Sequence, residues 1–263
     1  MNVAHAAEGG ISIHLSAPIL GYFFGIPLTS TMVTTWLTLI ILALFVIVFR
    51  SKLRMIPGKI QLRIELLIGS AFEYMAEALE SKQLAKKFFP LIMTIFIFIL
   101  ALNWIGLLPG VDAVGIYKTV HEIPHTLVPF LHPANTDLNI TIGLAIVAFV
   151  SIEIAGIAAL GIWKYGGKFI NFSSPLNFLI GIIELFSELA RLISFSFRLF
   201  GNIFAGKTLI VIAMFFIPFV LPVPLLAFEM FVGVIQAFIF AVLTLFFIKS
   251  AIPDPHLCAP ESQ

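Results

Sequence analysis

LNFLIGIIELFSELARLISFSFRLFGNIFAGKTLIVIAMFFI, residues 176–217, runs for 42 positions without a proline, and its length decides what kind of protein this is. Leu, Ile and Phe dominate it, and the stretch PFVLPVP, 218–224, ends it. As a single α-helix rising about 1.5 Å per residue it is roughly 63 Å long, about twice the ~30 Å hydrocarbon core of a bilayer. It cannot stand upright in a membrane. It also carries Glu184, Glu188, Arg191, Arg198 and Lys207, and an ionisable side chain facing lipid at mid-depth costs about 3 kcal/mol or more. A strongly tilted or bent helix meets both constraints, with Gly181, Gly201 and Gly206 as places to bend and with its polar side turned to protein or water. The apolar run 225–248 is its return arm, so 176–217 and 225–248 form a long tilted hairpin.

The rest of the chain agrees with a membrane setting. Of 263 residues 60% are hydrophobic and 11% charged, with a mean hydropathy of +1.09, which is outside the range of soluble domains. Residues 32–49, 88–108 and 138–163 are three further runs long enough to cross a bilayer. The expected fold is therefore an all-α polytopic membrane protein with about five crossing helices, a single integral membrane domain over 1–263. Residues 1–31 are read as an outer N-terminal segment with short interfacial pieces, and without a basic stretch before an apolar core no signal peptide is expected. A formal net charge of +1 gives no reason to expect a nucleic-acid partner. The one cysteine, Cys258, excludes an intramolecular disulfide framework and a thiolate metal cluster.

Lys and Arg orient the chain, because basic loops stay on the cytoplasmic side. Arg50, Lys52, Arg54, Lys59 and Arg63 follow the first span, and Lys82, Lys86 and Lys87 precede the second, so that connection is cytoplasmic. The next connection, 109–137, holds only Lys118 and is outer. Five crossings from an outer N-terminus place the C-terminal tail, with Cys258, inside. Within 61–87, the positions Ile64, Leu67, Ile68, Met75 and Leu79 recur at helical spacing, which predicts a helix lying on the cytoplasmic surface.

The hairpin's polar residues are ordered. Ser194, Arg198 and Asn202 recur every four residues and share a helix face, while Glu184, Glu188 and Arg191 form a second group. Arg198 has no acidic residue within nine positions on either side. On the return arm Glu229 and Gln236, seven apart, share a face. Together they describe a polar path at membrane depth.

RLFGNIFAGKTL (198–209) and QAFIFAVLTLFF (236–247), with NWIGLLPG (103–110) and NTDLNITIGLAI (135–146), resemble subunit a of bacterial F-type ATP synthases. The likeness extends to the number and order of the hydrophobic segments. It implies a subunit that is no enzyme by itself and needs no cofactor. Such a subunit stands beside a rotating ring of c subunits, with the b subunits of the peripheral stalk and, indirectly, the F1 sector as further partners, in the bacterial cytoplasmic membrane. It supplies two aqueous half-channels for protons. By the same resemblance Arg198 is the essential arginine facing the ring carboxylate, Asn202 and Gln236 are its polar neighbours, and Glu184 lies towards the exit. Lys207 and Glu229 occupy the positions of an entry-channel pair that is often an acid with a histidine. Lys with Glu is a departure, and as an opposite-charge pair across the hairpin it is either a static ion pair or part of the channel.

Other readings of the same residues stay open. Asn202 and Gln236 also suit helix-to-helix hydrogen bonds, Glu184 or Glu188 can snorkel to the interface, and Glu153 has no assigned partner. Asp137 and Asn139 are helix-start residues. A self-contained secondary transporter or channel also places charges at mid-membrane, but its repeated halves with interrupted helices are not found here. His121, Glu122 and His125 spell the zinc-protease pattern H-E-x-x-H, yet Pro124 inside the motif opposes the helix it needs. His132 as a third ligand does not mend that, and no metal site is expected.

Overall fold

The computed structural model describes residues 17–23, 25–120, 123–169, 175–218 and 220–252. Cys258 lies outside them. Helices dominate: α1 Ser30–Ser51, α2 Lys59–Ala78, α3 Lys82–Gly106, α4 Leu138–Leu160, α5 Ile162–Phe169, α6 Pro175–Phe216 and α7 Pro222–Ala251. Among the described residues, α1, α3, α4, α6 and α7 are long and apolar enough to cross a membrane. The protein is thus an all-α polytopic membrane protein, as the apolar runs predict. Helix α6 has 42 residues, unbroken by its internal glycines.

The differences lie at the ends of elements. The surface helix is shorter than 61–87. It stops at Leu79, Glu80 takes φ 53°, and Ser81 Oγ accepts the Leu84 amide at 3.3 Å to start α3. Lys82, Lys86 and Lys87 therefore belong to α3. The third span is shorter than 138–163, because Gly161 at φ +80° ends α4 and puts Trp163 into α5; only glycine enters that backbone region without strain. Pro222 and Pro224 fall inside α7, in the first turn, where a helix needs no amide donor.

Two connections that read as irregular are partly strand. β1 Ile19–Phe23 pairs antiparallel with β2 Ile26–Thr29 just before α1. In the connection after α3, β3 Pro109–Asp112 is followed by β4 Gly115–Val120, paired antiparallel with β5 Ile123–Pro129. His121 and Glu122 lie outside the described residues. The remainder of H-E-x-x-H belongs to β5, so the motif is not carried on a helix.

The chain forms two compact units. The first draws on Met1–Ile47, Ile97–Thr141 and Phe197–Ala237. Its core contains Ile99, Leu102, Leu199, Ile203 and Ile210. Ser30, Thr31, Thr34 and Thr38 are the buried side of α1. Ser30 Oγ donates to the Pro129 carbonyl at 2.5 Å, and Thr31 Oγ1 to Asp137 Oδ2 at 2.7 Å. Asp137 also accepts the Asn139 amide at 3.0 Å, consistent with a helix-start role. The Trp36, Leu39, Ile40 and Leu44 side of α1 is exposed, as a lipid-facing surface must be.

The second unit draws on Val48–Phe96, Ile142–Ser196 and Phe238–Gln263. Ala145, Ala148, Ile152 and Ala155 are the buried stripe of α4, and small residues there let helices approach closely. Phe195 packs on Phe240, ring centroids 4.8 Å apart, and edge-on against Phe247 at 5.6 Å. Tyr165 of α5 folds back onto Gly156, where a Cβ would overlap the phenol ring. Gly156→Ala is therefore expected to lower stability by about 1–3 kcal/mol, the usual cost of overpacking. Thermal unfolding of the detergent-solubilised protein checks this, and an unchanged midpoint would count against the close approach.

Candidate functional site

In α6, Arg198 and Ser194 are on the exposed side of the helix, among Ile193 and Phe197. One turn on from Arg198, Asn202 is half-buried and donates from Nδ2 to Gln236 Oε1 of α7 at 3.3 Å. Gln236 is only 3% exposed, and its Nε2 has no partner among the described residues. The stripe of Ser194, Arg198 and Asn202 is thus present as the four-residue spacing requires, and the structure joins it to Gln236 by an amide–amide bond. Asn103 of α3 is buried alongside, donating from Nδ2 to the Gly233 carbonyl at 3.0 Å and accepting from Asn135 Nδ2 at 2.6 Å. NWIGLLPG and NTDLNITIGLAI thereby meet on α7 through the first residue of each.

The opposite-charge pair expected between Lys207 and Glu229 is not formed. Lys207 Nζ bonds Asp112 Oδ2 at 2.8 Å, and the His132 ring nitrogens Nδ1 and Nε2 lie 3.3 and 3.2 Å from it. His132 Nδ1 meets Asp112 Oδ1 at 2.5 Å. Glu229 is 4% exposed, its Oε1 is without a partner, and its carboxylate occupies the space that a side chain at Gly206 would fill. The reason is angular. Residues 206 and 207 differ by about 100° around an α-helix, so α6 presents Gly206 to Glu229 and turns Lys207 to the connection after α3.

That connection is built to receive a lysine. Asp112 ends β3 with φ 73°, a left-handed conformation that aspartate tolerates better than most residues. Its amide bonds the Leu131 carbonyl at 3.1 Å, and the His132 amide donates to Thr34 Oγ1 at 3.0 Å. Burial raises the affinity of the Asp112 carboxyl for a proton, but the hydrogen bond from His132 and the charges of His132 and Lys207 outweigh it, so its pKa lies below the ordinary 3.8. The electrostatic part of this tether is present above that ordinary value and is lost as pH falls through the depressed one. Neither Asp112 nor His132 stood out in the sequence. They are 20 residues apart and 95 and 75 residues from Lys207, and the only local sign is that both flank short Gly- or Pro-containing turns.

In the second unit, Glu184 is half-buried and Glu188 is buried, 2% exposed. Glu188 Oε2 accepts from Arg191 Nη1 at 2.6 Å, and the guanidinium lies 4.0 Å over the Phe247 ring. Glu188 is thus part of the packed interior, in place of a snorkelling role. Burial raises the Tyr165 hydroxyl pKa above its ordinary 10, and hydrogen bonding to Glu153 raises it further. Glu153, which had no assigned partner in the sequence, acts on Tyr165.

Residues 32–249 match the family described as ATP synthase A chain. The chain is 34% identical over 253 residues to ATP synthase subunit a of Mycobacterium marinum, covering 94% of each sequence. It is 31% identical over 225 residues to ATP synthase subunit a of Moorella thermoacetica, covering 86% of this chain and 91% of the relative. It is 32% identical over 225 residues to that of Geotalea daltonii, covering 84% and 87%. With five spans in the expected order and the two quoted helices packed through Asn202 and Gln236, the chain belongs to the ATP synthase A chain family.

Proposed function

We propose that this chain is the stationary proton-conducting subunit of a rotary ATP synthase. It sits as one integral domain in a bacterial cytoplasmic membrane, N-terminus outside and C-terminus inside. It is not an enzyme by itself; it couples proton flow to rotation of a c ring, and beyond the ring its partners are the peripheral-stalk b subunits and, through them, F1. The observation that carries this reading is a guanidinium on the exposed, otherwise apolar side of α6, followed one turn later by an amide bonded to Gln236.

Arginine stays protonated in practice, so Arg198 is a poor proton carrier and a dependable fixed charge. A ring carboxylate passing within about 4 Å is attracted by roughly 4 kcal/mol at an effective dielectric near 20. Elsewhere on the ring, against lipid, the same carboxyl is neutral. It therefore ionises only beside Arg198, and protons cannot pass directly from one half-channel to the other. Asn202, Gln236 and Ser194 line the approach, with the unmet Gln236 Nε2 as a spare donor. Glu229 serves the entry side, Lys207 holds the outer connection against it, and Glu184 serves the exit. The membrane potential then biases rotation by about 2.3 kcal/mol per charge per 100 mV.

Reconstitution tests the reading against a self-contained transporter. The purified chain alone in liposomes is expected to give no potential-driven, coupled proton uptake, and the complete membrane sector with its c ring is expected to give it. Coupled uptake by the chain alone would overturn the rotary reading.

A further inference from the structure

Asp112, His132 and Lys207 come from two different segments of the outer connection and from α6, and they meet in one contact set. The two carboxylate oxygens are divided between partners, Oδ1 to the His132 ring at 2.5 Å and Oδ2 to the Lys207 ammonium at 2.8 Å. Access to water is graded: the Asp112 side chain is 34% exposed, Lys207 29% and His132 13%. Backbone bonds from Asp112 to Leu131 and from His132 to Thr34 already anchor the connection, so the side-chain cluster is not needed merely to tie it down. Imidazole is the one side chain whose ordinary titration falls near neutral pH.

We propose that Asp112 and His132 are the proton-intake pair of this chain on its outer side, with Lys207 as the fixed cation that positions them. This rests on the rotary reading and names the residues that load its entry side.

The chemistry follows from the contacts. With Nδ1–H donating to Asp112 Oδ1, the Nε2 lone pair of the neutral ring faces the Lys207 ammonium at 3.2 Å and accepts from it. A proton arriving from outer water adds to Nε2. The ring becomes imidazolium, the ammonium gives up that hydrogen bond, and it keeps its bond to Asp112 Oδ2. Asp112 attracts the new charge and Lys207 repels it, so the proton is held but not trapped. Loss of the proton from Nε2 to water or to an inner carboxylate restores the neutral ring, and lysine stays protonated throughout. Asp112 and Lys207 are the charged groups that face the ring. From α1 it meets the uncharged Thr34, and Asp137 is turned instead to Thr31 Oγ1. Glu229, packed against Gly206 next to Lys207 in α6, is the buried carboxylate available as receiver.

The test uses inverted membrane vesicles carrying the whole complex, in which the outer side faces the lumen. ATP synthesis is driven by luminal acidification and normalised to assembled complex. His132→Gln can still bond Asp112 but cannot take up a proton, so it is expected to lower synthesis about tenfold, the low end of what a proton-transfer group contributes or just below. It should also flatten the dependence on luminal pH between about 6 and 8. Imidazole loaded into the lumen is expected to restore part of the rate of His132→Ala. A His132→Gln complex with the parental rate and pH profile would overturn the proposal. So would a loss that is uniform across luminal pH and untouched by imidazole, the behaviour of a structural clamp. Arg198→Ala vesicles tested in parallel keep the two ideas apart. If they still synthesise ATP, the rotary reading fails; if they are inactive while His132→Gln behaves like the parent, only the intake pair fails.

Discussion

Arg198→Ala is expected to leave the complex assembled and to abolish both ATP synthesis and ATP-driven acidification in membrane vesicles. The side chain is on the exposed side of α6 and is no part of the buried core, so its removal opens no cavity. What disappears is an attraction of roughly 4 kcal/mol on a passing carboxylate, about a thousandfold in the ratio of ionised to neutral carboxyl. The carboxyl then has no reason to release its proton at the boundary, and the barrier between the half-channels goes with it. Passive proton leakage through the alanine variant is therefore expected as well, read as a faster decay of an imposed pH gradient. Arg198→Lys should rescue poorly, since lysine keeps a charge but loses the planar fork and can deprotonate where water is scarce. An assembled Arg198→Ala complex that made ATP at near-parental rates would sink the gate.

The second large effect is expected at Glu229. Its carboxylate is buried, has an oxygen without a partner, and faces Gly206 and not Lys207. A static ion-pair partner of Lys207 would lose stability when neutralised, because the lysine would be left alone. The observed pairing predicts otherwise. Glu229→Gln should leave thermal stability unchanged or raise it, since Lys207 keeps Asp112, while proton-driven synthesis falls by about tenfold or more. A substantial drop in melting temperature would favour the ion pair after all. Gly206→Ala probes the same contact from the other helix. It should cost about 1–3 kcal/mol through overlap with the carboxylate. Glu229→Ala in the same chain should relieve much of that, a non-additivity that only touching residues show.

The polar stripe of α6 was legible because helical spacing alone puts Ser194, Arg198 and Asn202 on one face, and because length and proline content define the helix that carries them. Gln236 could be assigned to the return arm but not to a partner. Its bond to Asn202 depends on how α7 is rotated against α6, and no periodicity records that rotation. The outer connection shows the limit most clearly. Its prolines and polar residues suggested a loop, yet the backbone groups of β4 and β5 satisfy one another by pairing, and the pairing carries Asp112 and His132 to Lys207.

By itself, then, the sequence determined everything that follows from local chemistry repeated along one chain: five spans from apolar length, an orientation from the placement of Lys and Arg, and a charged stripe from a four-residue repeat. The tertiary structure alone decided which buried charges meet. Lys207 and Glu229 carry opposite signs on adjacent helices, and charge alone would pair them. A rotation of about 100° between neighbouring positions on α6 sends Lys207 to Asp112 and His132 and leaves Glu229 against Gly206. Contacts across 20 to 95 residues depend on packing angles and strand register, and those are properties of the assembled helices and not of any stretch of sequence within them.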